Sequence, residues 1–143
     1  MIYTALSLVG TAITDHLGAS PSVAIRPSGH EADTGANKTY WVNLTPDSDS
    51  DESDGGGGLH YIGTHNIRVT VWMQDTQNDL ASTMQTIGTR VAGVRDALRF
   101  STLGTYCRPG INPTDLGGGN YMTHNDDSSR YGYQFVVRVA HQY

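Results

Sequence analysis

The chain predicts an α+β fold, a mostly antiparallel or mixed sheet of four to five strands with two helices packed on it, in the order α-β-β-β-α-β-β. Three observations carry that expectation. Two segments repeat apolar residues at helical spacing, several others alternate apolar and polar residues with period two, and the two helical segments are separated by a block of strands. At 143 residues the whole chain, 1–143, reads as a single domain. A domain of this size buries roughly 70% of the surface of its unfolded chain, enough to fold without metals or disulfides.

The first element is a helix. Ile2, Leu6, Val9, Ile13 and Leu17 are spaced 4, 3, 4 and 4 apart, which gathers them on one face, and Gly18 supplies a helix end. The same opening is apolar enough to suggest a secretory signal. It has no basic residue ahead of the apolar part, however, and runs straight into Asp15 and His16, so it reads as part of the folded domain. A short extended run follows at 22–26, closed by Pro27. After a loop-like stretch at 27–37, residues 39–45 form a strand with Tyr40, Val42 and Leu44 on one face and Trp41, Asn43 and Thr45 on the other.

Residues 46–58 combine five acids with four consecutive glycines. Charge repulsion and glycine entropy both oppose packing, so this acidic segment is expected to be an exposed, mobile loop joining two strands. The next strand, 59–72, alternates most clearly at Ile67, Val69 and Val71, and Gly63 marks a bulge or bend.

The longest periodic signal is Leu80, Met84, Ile87, Val91, Val94 and Leu98, spaced 4, 3, 4, 3 and 4. It predicts a second helix over 76–99, with Thr76 and Asp79 resembling a capping box and Arg95 and Arg99 suiting the C-terminal dipole. The stripe is too short for a coiled coil, so a helix lying on a sheet is the better reading. A short edge strand interrupted by Pro109 is expected at 105–111, then a second polar loop at 112–130. The last strand, 131–141, sets Tyr133, Phe135, Val137 and Val139 against Gln134, Val136, Arg138 and Ala140.

Charge narrows the function. Asp47, Asp49, Asp51, Glu52 and Asp54 account for the whole net charge of −5; the other nine acids balance nine bases. A neutral body with one acidic segment lacks the basic footprint of a nucleic-acid-binding domain. The single cysteine, Cys107, forms no internal disulfide and no multi-cysteine zinc site, and no apolar run approaches the ~18 residues of a membrane span.

Templates for site chemistry fail on inspection. A calcium loop begun at Asp47 needs Gly at 52 and Glu at 58, where Glu52 and Gly58 stand; begun at Asp49, it meets Asp54 at the glycine position and His60 at the twelfth. His30-Glu31 lacks the second histidine of a helical zinc site, since position 34 is Thr34. The glycine clusters at 55–58 and 117–119 lack the Lys-Ser/Thr of a phosphate loop, and Gly18-Ala19-Ser20-Pro21-Ser22 lacks the closing glycine of a nucleophile elbow. No catalytic, cofactor-binding or metal residue is assigned, and no enzyme activity is expected. The competing class is a small ligand-binding, metal-binding or hydrolytic domain using His60, His65 and the acidic segment. The aromatic residues on the second sheet face fit two readings equally, contact with another copy or completion of the chain's own core.

The layout now resembles a known group. An N-terminal helix from residue 1, a variable segment between two strands, a strand ending Ile67-Arg68-Val69-Thr70-Val71-Trp72 that leads into a helix, and the closing strand Tyr133 to His141 resemble the tail terminator and tail completion proteins of long-tailed bacteriophages. The resemblance spans nearly the whole chain and offers no fixed functional residue to carry over. It implies a structural virion protein in the tail or neck region, assembled in the host bacterial cytoplasm. Such a protein forms a homo-oligomeric ring, a hexamer, on the head-proximal end of the tail tube, stops tube polymerisation, and presents a surface for the head. The partners implied are further copies, the major tail tube protein, and a head–tail connector or neck protein, with genome DNA passing through without specific binding, and neither membrane nor cofactor. A head-completion or head–tail joining neck protein is the near alternative. In such a ring the segments 46–58 and 112–130 and both helices would be contact surfaces. The acids Asp47, Asp49, Asp51, Glu52 and Asp54 would either face the lumen, repelling phosphates, or form a mobile outer fringe.

Overall fold

In the computed structural model, two helices, α1 (Ile2–Leu17) and α2 (Leu80–Arg99), lie against each other and against one face of a six-stranded mixed sheet. The structure describes residues 2–18, 21–27, 40–53, 61–74, 80–99, 101, 103, 113–117, 119–123 and 130–142. The strands are β1 (Ser22–Ile25), β2 (Tyr40–Ser53), β3 (Tyr61–Gln74), β4 (Thr114–Asp115), β5 (Asn120–Thr123) and β6 (Arg130–Gln142). The sheet runs β1-β2-β3-β6-β4, and β5 also pairs with β6. Only β1 against β2 is parallel among these pairs. The α+β architecture expected from the periodicities is the one observed.

Register explains why the two sheet faces differ. Leu44, Val69 and Phe135 stand side by side across the three central strands, as do Val42, Val71 and Tyr133. Residues at these positions point toward the helices, where they meet Leu6, Val9 and Ile13 of α1 and Ile87, Val91, Val94 and Leu98 of α2 in one buried cluster. Each fully buried aliphatic side chain of this kind contributes about 1.5–3 kcal/mol relative to exposure, so the cluster dominates the stability. The apolar opening segment is therefore spent on core, as α1. Gly18 takes a positive φ of 84° and its N–H bonds the Thr14 carbonyl, the left-handed helix end expected there.

Across the sheet, Trp41 pairs in register with Trp72, the rings stack at 6.0 Å, and both are buried. The Arg130 guanidinium lies 5.5 Å from the Trp41 ring centre, and Asn43, Thr45 and Thr70 on the same face are buried too. Of the two readings for these aromatics, completion of the chain's own core is the one realised. Trp72 lies directly opposite Gly132, and a Cβ at that glycine would stand 2.6 Å from the indole. The bare backbone at 132 is what lets the indole lie flat.

Three expectations change. Residues 46–53, expected as loop, continue β2, because β3 offers a partner of equal length and satisfies their backbone groups. Tertiary pairing here outweighs the poor strand propensity of Asp and Ser. Within 112–130, β4 and β5 pair with the edge of β6 that β3 leaves open, so that segment is partly strand. In α2 the buried stripe starts at Thr83, while Leu80 is 58% exposed. The strand expected at 105–111, the capping pair Thr76 and Asp79, and the glycines 55–58 lie outside the described residues.

Candidate functional site

β1 reaches along β2 only from Trp41 to Leu44. Beyond that point β2, β3 and β6 continue together as a three-stranded arm, with Ser48, Asn66 and Arg138 in one row and Asp49, His65 and Val139 in the next. The eight residues from Pro46 to Ser53 give the β2 side of this arm a length of about 25 Å.

A bulge between Pro46 and Ser48 decides which way the acids face. In a regular strand, odd-numbered residues from Trp41 onward would share the face away from the helices. One extra residue reverses that parity. Asp47 is the extra residue and bonds Arg68, whose Nη2 lies 2.5 Å from Oδ1 on the face away from the helices. Asp49 falls on the other face, where its Oδ1 is 2.7 Å from Nδ1 of His65. His65 is buried while the Asp49 side chain is half exposed. Ser48 accepts a hydrogen bond from Asn66 Nδ2 at 2.8 Å.

Asp51 and Glu52 occupy register positions opposite Gly63 and Ile62. Asp54 and His60 lie outside the described residues. Four of the five acids singled out in the sequence thus lie along β2 in register with β3. The two histidines weighed as a pair are not both described; His65 is held by Asp49.

A second polar centre joins α2 to the far side of the sheet. Arg95 Nε donates to Asp115 Oδ2 at 2.5 Å, and Asp115 also caps the β4 turn through the Gly117 N–H at 2.7 Å. The same guanidinium lies 4.6 Å from the Phe135 ring centre and 5.2 Å from that of Tyr133. Burial pulls the Arg95 pKa down, but the Tyr133 hydroxyl and the Asp115 charge outweigh it and hold the group above its ordinary value. Beside it, α2, β4 and β6 enclose a cleft of about 590 Å³ whose walls include Arg95, Arg99, Pro113 and Phe135. Gly119 packs so close to Tyr133 that any Cβ there would overlap the phenol ring, and Tyr121 meets the same ring edge-on at 4.9 Å.

This centre was missed in the sequence. Arg95 reads there as a helix-dipole partner, and nothing local connects it to residues 20 and 38 positions away. A third pairing places Arg90 4.2 Å from the Tyr40 ring centre. Burial lifts the Tyr40 pKa above the usual phenol value, the Arg90 charge offsetting part of the rise, and burial lowers that of Arg90.

The two lateral edges of the sheet carry different surfaces. On the β1 side, a groove of about 570 Å³ between α1 and β1 is lined by Tyr3, Leu6, Gly10, Val23 and Ile25, with Tyr3 70% and Ile25 40% exposed. On the opposite side, Tyr121 and Leu116 are exposed at 58% and 41%.

No protein-family profile matches the chain, and no curated protein matches it by sequence. Among solved structures, the chain is similar to one from a structure described as the virion of a native gene transfer agent (GTA) particle. The TM-score is 0.58 at 14% identity, over 96% of this chain and 94% of that chain.

Proposed function

We propose that this chain is a structural virion protein of the tail terminator kind. In this reading six copies form a ring on the head-proximal end of a tail tube, end its polymerisation, and offer the surface to which the head or neck attaches. The observation that carries the proposal is the near-complete, two-way overlap in fold with a chain from a gene transfer agent virion. The layout of the sequence supports the same reading independently. In the ring, the acids of β2 face the lumen and repel the phosphates of DNA moving through it.

The test is the mass of the full chain in solution and on tail tubes, together with loss of its gene. A hexamer, and abnormally long tubes when the gene is deleted, are the expected results. Tails of normal length that fail to join heads would reassign the chain to the neck. A chain that stays monomeric at high concentration with tubes supplied would overturn the ring.

A further inference from the structure

The three-stranded arm has two open edges. Among the described residues, β2 has no strand partner beyond Leu44 on the side away from β3, and β6 has none beyond Arg138 on the opposite side. Along these stretches no described strand takes up the outward-facing backbone N–H and C=O groups, which is the usual template for adding another strand. The edges also differ in charge. The β2 edge carries Asp47, Asp49, Asp51 and Glu52 and no base, with Asp47 and Asp49 exposed; the open β6 stretch 139–142 carries no acid, and exposed Arg138, in register with Thr114 of β4, stands at its start.

We propose that the arm edges pair between copies, β2 of one subunit adding to β6 of the next, so that the arms join into one continuous sheet around the ring. The occupant of each edge is a second copy of this chain. Two like edges would set acids against acids, whereas the β2 edge against the β6 edge sets acids beside Arg138. Such a joint uses two different surfaces of each subunit, the heterologous contact from which closed rings are built. The exposed apolar residues follow the same division: Tyr3 and Ile25 lie on the β1–β2 side and Leu116 and Tyr121 on the β6 side, so one docking event covers both sets. Strand direction adds a constraint. β2 and β6 are each antiparallel to β3, so they run the same way, and rotation about a ring axis preserves that direction. The joint between copies is therefore parallel. This inference rests on the ring proposed above and specifies how the ring closes.

Paired cysteines test it. In the full chain carrying Cys107→Ser, cysteines replace Ser48 or Ser50 on β2 together with Arg138 or Ala140 on β6. Within one chain these positions are two strand spacings apart, about 9–10 Å or more, beyond the roughly 7 Å limit for a disulfide, so any bridge joins two copies. Mild oxidation is expected to give a covalent ladder up to the ring size from at least one of the four pairs, as read on non-reducing gels. Arg138→Glu, which faces acids with an acid, is expected to weaken assembly about tenfold at low salt. A ring that forms by mass yet yields no ladder from any pair, or that tolerates Arg138→Glu unchanged, overturns the edge joint and leaves the ring standing. A chain that forms no ring overturns both.

Discussion

Gly132→Ala isolates one contact that holds the face away from the helices. Gly132 is not in the left-handed region, so the usual expectation for a strand glycine is that alanine stabilises by about 0.5–1 kcal/mol through lost unfolded-state freedom. The structure argues the opposite sign. The new Cβ would stand 2.6, 2.7 and 2.9 Å from three atoms of the Trp72 indole. That ring is fully buried and stacked on Trp41, so it has no free space to move into. Forcing a methyl group into such packing costs about 1–3 kcal/mol. The overlap wins, and the net loss is about 1–2 kcal/mol. For a chain of this length that is a fall in melting temperature of about 3–6 °C. Urea unfolding followed by tryptophan fluorescence reads the same loss and reports on the ring itself. In a Trp72→Phe background the smaller ring recedes, and the same glycine substitution is expected to cost much less, a coupling a double-mutant cycle measures. A Gly132→Ala protein as stable as the parent, or more stable, would refute the claim that bare backbone at 132 seats the indole.

Three further outcomes follow from other contacts. Deleting Asp47 removes the bulge but leaves Ser48 opposite Asn66 and Asp49 opposite buried His65, so only the exposed ion pair with Arg68 is lost; a change of no more than about 1 kcal/mol is expected in denaturant unfolding, the same as for Asp47→Ala. Arg95→Met is expected to cost about 1–2 kcal/mol, because the stack on Phe135 and Tyr133 and the Asp115 ion pair go together; a cycle with Asp115→Asn should return about 0.5–1 kcal/mol of coupling. The raised pKa of Tyr40 means that the folded chain holds that proton more tightly than the unfolded chain does. Its contribution is complete below the unfolded value of 10.0 and is lost as pH rises through the folded value, so stability falls above about pH 10 and Tyr40→Phe flattens the slope, read from urea midpoints between pH 8 and 11.

Much of the fold was legible because its elements are strongly periodic. The stripe Ile2, Leu6, Val9, Ile13 and Leu17 yields α1 with Leu6, Val9 and Ile13 buried and Ile2 and Leu17 packed at the ends. The alternation of β3 and β6 assigns their faces correctly. The acidic segment was misread for a definable reason. Composition reports that Asp and Ser are poor strand formers, but whether their backbone groups find partners depends on the length of β3, which lies beyond the glycines. In α2, Leu80 fits the helical stripe and yet is exposed, because a stripe records spacing and not how far the sheet extends beneath the helix.

For the candidate assembly surface the division is sharper. Five clustered acids and a balanced remainder are visible in the bare sequence. Which face each acid takes is not visible, because a one-residue bulge at Pro46–Ser48 inverts every later position of β2 and leaves no mark in the pattern of polar residues. The Arg95 centre was hidden likewise, since its partners come from separate elements and meet only when α2 lies across β6. Local periodicity, a property of neighbouring residues, determined the helices, most of the strands and the core. Strand partnership, bulge position and open edges belong to pairs of distant segments, and only the tertiary structure decided them.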